Sequence, residues 1–309
     1  MHCVKGVTVN VFVGCCSSAF LMEILMARKP SSANLVTFLQ FFFITLYGFL
    51  HAKYQLCTTS PKIPVKQYVM LVTLFFITTV ANNYVYALHV PPTLHMIIRS
   101  ASSPASMLVY CSVKKQMPKL NNAIGSILIS AGVALAMYGG APTDDANKGT
   151  FLYWCIGVTI LLATLITGAF TGLQQERLYS QYGKHPNEML FYTHVIPLPV
   201  FFGISSQLMD TSSDLPLDAW LLIALNIISQ FYCTHSVHEL ATKETSVTVT
   251  FILTLRKFAS LLISTIVFKN NLNIYHGVGT LLVAVGTCVY FDFFSARRQR
   301  PVSIKTKAN

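Results

Sequence analysis

The apolar residues of this chain come in blocks near 20 long, and that spacing narrows its fold more than any other feature. Ten blocks can be drawn, at about 6–27, 34–51, 67–89, 91–113, 121–140, 151–175, 188–208, 218–238, 245–268 and 273–294. Twenty helical residues span about 30 Å, the thickness of the hydrocarbon core of a bilayer. Inside lipid every backbone polar group must be satisfied within its own segment, so blocks of this length are expected to be helices. Charged residues make up 11% of the 309, against about 25% in a soluble chain, and the mean hydropathy is +0.55. The expected fold is an all-α integral membrane protein with ten transmembrane helices and no room for a soluble domain. The first block could imitate a signal peptide. It lacks an A-x-A site and ends in Arg28-Lys29, so it reads as the first membrane helix.

The net charge of +11 follows topology and is not a nucleic-acid signal. With a cytosolic N-terminus, the cytosolic segments hold fifteen cations, among them Lys62, Lys66, Lys114, Lys115, Lys119, Arg177, Lys184 and Lys243. The opposite side holds four, Arg28, Lys29, Lys148 and Lys269, together with five aspartates. The positive-inside rule then puts both termini in the cytosol.

Three cations remain inside the blocks. Arg99 lies in the fourth, and Arg256-Lys257 in the middle of the ninth. At about 1.5 Å per residue, Arg256 is roughly 20 Å from Lys243 or Lys269 at the ends of its block, too far for snorkelling. A central Lys or Arg costs about 2.5 to 3.5 kcal/mol on insertion scales. No acid lies in either block, and Glu23, Glu176 and Glu239, the candidate partners on other helices, all lie near helix ends. The cluster either handles an anion, as Arg forks and Lys point charges do with phosphate, or is satisfied by backbone carbonyls or those acids. Adjacent helical residues point about 100° apart, which leaves open how Arg256 and Lys257 divide the work.

The second half of the chain repeats the first. Glu23 meets Glu176 and Phe38 meets Phe191 at an offset of 153; Arg99 meets Arg256 at 157. The G-x6-G of Gly125 and Gly132 meets that of Gly279 and Gly286 at 154. Five helices per half invert the second half relative to the first. The expected organisation is a first repeat over 1–140, a lumenal linker over 141–150, a second repeat over 151–295 and a basic cytosolic tail over 296–309. Inverted repeats place a substrate site at their interface near the midplane, where Arg99 and Arg256 would approach one cavity from two sides. The glycine pairs suit close packing within the fold, the favoured reading, or in a homodimer.

Other polar residues inside the blocks are candidates with two readings each. Asn82-Asn83-Tyr84 suits sugar hydroxyls or a base edge, or else interhelical hydrogen bonds. Phe191-Tyr192-Thr193-His194 offers a stacking ring and polar groups for a nucleobase, or else packing, and Pro197 and Pro199 bend the chain just after it. His95, one turn before Arg99, begins a polar stripe with Ser102, Ser103 and Ser106; Gln230 and Tyr232 are similar. The eight cysteines are scattered, show no metal spacing or disulfide framework, and read as small core residues. No carboxylate pair, metal cluster, catalytic triad or phosphate-cradling loop is visible, so the chain reads as no enzyme and needs no cofactor. The tail ends with Lys305 and Lys307 at the third and fifth positions from the end, similar to the signal that coat proteins use to retrieve membrane proteins to the endoplasmic reticulum.

Several stretches together resemble the nucleotide-sugar transporters of the drug/metabolite transporter superfamily. They are Cys15-Cys16 with Glu23 and Arg28-Lys29, Asn34-x-Val36-Thr37-Phe38, Asn82-Asn83-Tyr84, and Leu94-His95-Met96-Ile97-x-Arg99-Ser100. Gly183-Lys184-His185 before Phe191-Tyr192-x-His194, the run Ser246–Ser260, Phe268-Lys269-Asn270 and Gly279–Gly286 complete the likeness, which covers nearly the whole chain. It is nearest to the group that carries UDP-N-acetylglucosamine and UDP-xylose. The resemblance implies ten helices in two inverted repeats, a Golgi or endoplasmic reticulum membrane, and antiport of a cytosolic UDP-sugar against lumenal UMP. It also implies that Phe191–His194 meets the base and that Leu255-Arg256-Lys257 brings its lysine to phosphate. Thr193 stands where relatives usually have Asn. Two alternatives stay open: a carrier of another nucleotide or phosphorylated anion, and a membrane-embedded transferase or scaffold.

Overall fold

The computed structural model describes residues 2–29, 32–56, 61–88, 95, 98–115, 117–139, 151–213, 215–267 and 274–291. The linker 141–150, the tail 296–309 with Lys305 and Lys307, and Lys269 lie outside the described residues. The described chain is helical, without strands: α1 His2–Arg28, α2 Ala33–Leu56, α3 Val65–Tyr84, α4 Ser102–Lys114, α5 Leu120–Gly139 and α6 Phe151–Tyr182, then α7 Pro186–Val195, α8 Ser205–Ser213, α9 Leu217–Ala241, α10 Ser246–Val267 and α11 Ile274–Tyr290. Four spans are long and apolar enough to cross a membrane, Gly6–Met26, Ala33–Leu50, Cys155–Tyr182 and Leu217–Ala241, and α3, α5 and α11 hold shorter apolar stretches. Phe49, Ile77, Leu221 and Leu281 point outward, as suits a protein whose surroundings are lipid.

Most helix ends fall within a few residues of the expected blocks, and local chemistry explains them. Gly183, at φ +97°, ends α6 in a conformation that costs glycine little. Pro186 opens α7 and Pro216 precedes α9, where a missing amide hydrogen does no harm. Two blocks are not single helices. The seventh stops at Val195 and continues as a 3-10 segment Leu198–Ile204 before α8. Pro197 and Pro199 supply no amide hydrogens there, so α-helical bonding cannot run through them. In the fourth, the helical residues 98–100 turn at Ala101 before α4 begins, and residues 89–94, 96 and 97 lie outside the described set.

The broadest helix contact joins α5 to α11. A Cβ on Gly125 would lie 2.7 Å from the Gly286 carbonyl oxygen, and one on Gly132 would lie 2.7 Å from that of Gly279. The two G-x6-G patterns thus serve the fold. They face each other within the chain, and this surface is not available to a homodimer.

α1 packs in the same close manner against α9. Gly14 brings its backbone onto Cys233, leaving only 2.9 Å between a Cβ and the Cys233 nitrogen. Next to it, Cys15 is disulfide-bonded to Cys233, with Cα atoms 4.6 Å apart. This corrects the expectation that the cysteines are only small core residues. The partners are 218 residues apart, and cysteine spacing along the chain carries no information about such a pair.

Candidate functional site

α4 and α10 run antiparallel and are stitched by hydroxyls. Ser102 and Thr254 share a hydrogen bond at 3.3 Å, and Thr250 donates to Ser106 at 3.4 Å. Arg99 lies just before α4, beyond the turn at Ala101. The charges of Arg99 and Arg256 both act on Lys257. Arg99 is exposed, and Arg256 and Lys257 are half-buried. On the other side of α10 is α1, whose Cys16 lies in the field of the Arg256 guanidinium and donates its Sγ proton to the Arg256 carbonyl at 3.9 Å. Lys257 is therefore near both Arg99 and Arg256, and Arg256 is near Cys16 of α1. The Arg256 Nε is buried and has no hydrogen-bond partner.

No acid among the described residues pairs with these three cations. The ion pairs found there are Arg28–Asp218, Lys114–Glu176 and Lys243–Glu239. Two of the acids expected as candidate partners are therefore committed elsewhere. Glu176 also accepts from the Ser246 amide at 2.7 Å, capping the start of α10. Like charges this close repel one another, Arg256 and Lys257 also lose hydration, and a bound anion offsets both costs.

Tyr192 and His194 lie on α7 with different surroundings. The Tyr192 ring is half-buried and stacks on Tyr68 of α3, centroids 4.5 Å apart at 16°, with Phe191 edge-on at 5.2 Å. His194 is buried, its Nδ1 2.7 Å from the Leu190 carbonyl oxygen and its ring against Phe41. Thr193 donates to the Met189 carbonyl at 2.7 Å, so its hydroxyl is committed to its own helix.

Of the remaining expected site residues, Asn82, His95, Ser103 and Gln230 are tied into helix packing. Asn82 is buried, donates to the Thr78 carbonyl and accepts from Thr164 of α6 at 3.0 Å. Asn83 follows it in α3. His95 is buried, hydrogen-bonds to the Asn82 backbone, and feels the charge of Arg99. Ser103 is fully buried against Ser126 of α5 at 2.7 Å. Gln230 accepts from Ser18 of α1 at 2.7 Å and donates to Thr234 at 3.3 Å. Tyr232 is 60% exposed and faces outward. Sequence reading missed Asn226, fully buried on α9, which donates to the Ser18 carbonyl at 2.8 Å and accepts from Gln40 of α2 at 2.6 Å. Its signal was an amide inside an apolar block, four residues before Gln230. Among the described residues no three His, Cys, Asp or Glu side chains are placed to hold a metal.

The comparison with known sequences decides the class to which this arrangement belongs. Residues 5–293 match the UAA transporter family. The chain belongs to the UAA transporter family. This transporter is 35% identical over 308 residues to the UDP-xylose and UDP-N-acetylglucosamine transporter of Danio rerio, covering 93% of each chain. It is 36% identical over 333 residues to the endoplasmic reticulum GDP-fucose transporter of Drosophila melanogaster, over 96% of this chain and 94% of that one. To the UDP-N-acetylglucosamine transporter yea4 of Schizosaccharomyces pombe it is 33% identical, over 97% of each. A crystal structure of a protein with 12% sequence identity superposes at a TM-score of 0.67, over 96% of this transporter and 99% of that chain, which shows a shared fold.

Proposed function

We propose that this transporter carries a UDP-sugar, UDP-N-acetylglucosamine and/or UDP-xylose, from the cytosol into the lumen of the endoplasmic reticulum or Golgi in exchange for UMP. The observation that carries the reading is the cluster itself. Lys257 is near both Arg99 and Arg256, and no acid among the described residues neutralises them. A diphosphate is the complementary charge, and Tyr192 provides a ring for a base. The relatives named for UDP-N-acetylglucosamine and UDP-xylose support the choice of sugar.

The architecture we infer is ten transmembrane helices in two inverted five-helix repeats. The α5–α11 contact supports it, since an offset of 154 turns the pair Gly125–Gly286 into the pair Gly279–Gly132. The same exchange turns the α1–α9 contact into the α6–α3 contact. Each ion pair also joins residues assigned to one side of the membrane, Arg28 with Asp218 on the lumenal side and Lys114 with Glu176 on the cytosolic side. Both termini are then cytosolic, where Lys305 and Lys307 are open to coat-protein retrieval.

Exchange follows from electrostatics. A cavity holding three bare cations is costly to carry through the switch between its two open states, and a loaded one is neutralised. In reconstituted liposomes, preloaded UMP is expected to stimulate uptake of labelled UDP-N-acetylglucosamine strongly, and equal uptake into empty vesicles would defeat exchange. Competition by UDP-, GDP- and CMP-sugars tests the substrate. Better competition by GDP-fucose would move the assignment toward the Drosophila relative.

A further inference from the structure

The Tyr192 ring is backed by a second aromatic ring from α3. Tyr68 is fully buried near the start of α3 and lies face to face with Tyr192, centroids 4.5 Å apart at 16°. Its hydroxyl donates to Glu188 Oε1 at 2.9 Å. Glu188 sits one helical turn before Tyr192 on α7, so α7 grips Tyr68 twice, by the carboxylate and by the ring. The same carboxylate accepts from the amides of Ile63 at 3.1 Å and Lys62 at 3.3 Å, just ahead of α3. Phe191 closes a second side of Tyr192 edge-on at 5.2 Å. Phe191 itself is seated on Gly48 of α2, where a Cβ would come within 2.7 Å of its ring. With one face on Tyr68 and one edge on Phe191, the Tyr192 ring is held on two sides and remains partly exposed.

We propose that Tyr68 is a positioning residue that holds the Tyr192 ring at the angle needed to stack a pyrimidine base, with Glu188 fixing the rotation of Tyr68. The inference rests on the nucleotide-sugar reading. Stacking falls off when two ring planes tilt, and a ring held from behind is already oriented when the ligand arrives. Tyr68 touches no ligand in this scheme and acts only through Tyr192.

The test uses the full-length transporter in UMP-loaded liposomes with external labelled UDP-N-acetylglucosamine. Tyr68→Leu is expected to raise KM about tenfold, the size of one stacking contact, with the maximal rate held within about twofold. Tyr68→Phe keeps the ring and loses the Glu188 bond, and is expected to restore most of the affinity. In the Tyr192→Ala background, Tyr68→Leu is expected to add nothing further. An unchanged KM, or effects that multiply in the double variant, would overturn the proposal. If Tyr68→Leu is not recovered folded, Tyr68→Phe and Glu188→Gln carry the test, each with a smaller rise in KM that vanishes in Tyr192→Ala. Wild-type protein that ignores UMP and all nucleotide sugars overturns the nucleotide reading and this inference with it. Wild-type exchange with an unchanged Tyr68→Leu KM overturns this inference alone.

Discussion

Gly132 of α5 and Gly279 of α11 meet backbone to backbone, each where the other's carbonyl oxygen would touch an added Cβ at 2.6 to 2.7 Å. No flexible side chain is available to yield at that contact. Gly132→Val or Gly279→Val must therefore push two helices apart along the whole α5–α11 seam. The expected cost is about 1–3 kcal/mol or more, read as a lower thermal midpoint in detergent. Gly168 of α6 has open space where its Cβ would stand, so Gly168→Ala is expected to hold or raise the midpoint.

Arg99 and Arg256 both act on Lys257, and none of the three has an acid partner among the described residues. Removing one cation relieves repulsion in the empty protein and removes attraction in the loaded one. Lys257→Ala is expected to abolish exchange and the thermal shift produced by UMP, while the ligand-free midpoint is no lower than in the wild type. Arg256→Ala and Arg99→Ala should behave in the same direction. A variant that keeps its uptake rate, or that melts much earlier without ligand, would assign that side chain to packing.

The Cys15–Cys233 bond joins α1 to α9 beside the Gly14 contact and closes a loop of 218 residues. Non-reducing mass spectrometry should recover one peptide linking the two helices. The double substitution Cys15→Ser/Cys233→Ser is expected to lower stability by about 2–5 kcal/mol, the range seen on removing native disulfides. Recovery of both thiols free in protein that was never exposed to reductant would argue against the bond.

Glu176 ties three elements together, with Lys114 of α4 at 2.7 Å and the Ser246 amide of α10 at 2.7 Å. Glu176→Gln keeps the shape and weakens both bonds. A stability loss of about 1–2 kcal/mol is expected, most of it from the cap on α10. Lys114→Ala removes the ion pair, which is partly solvated, and the contact of its ammonium with the Tyr110 ring at 5.0 Å, and is expected to cost about 1 kcal/mol or less. A larger effect from Lys114→Ala than from Glu176→Gln would reverse that ranking.

Helix positions were legible because lipid forces each segment to satisfy its own backbone, and that requirement is written locally as block length, proline and glycine. The ends of α1, α5, α9 and α10 follow from it, as does the break at Pro197. The cation cluster was legible for a related reason, since Arg256 and Lys257 are conspicuous wherever a 20-residue block is apolar. Side-chain partners obey no local rule. Asn82, Ser103 and Gln230 carry the same chemistry as a ligand site, and only the packing of α3 on α6, α4 on α5 and α1 on α9 committed them to Thr164, Ser126 and Ser18. The Cys15–Cys233 bond, the glycine seam and the Tyr68–Tyr192 stack join residues far apart in the chain. The sequence alone determined that the chain makes long apolar helices and that Arg256 and Lys257 lie within one of them. Tertiary structure decided which polar groups hold those helices together, because a hydrogen bond or stack forms only once the fold has brought both partners within a few ångströms.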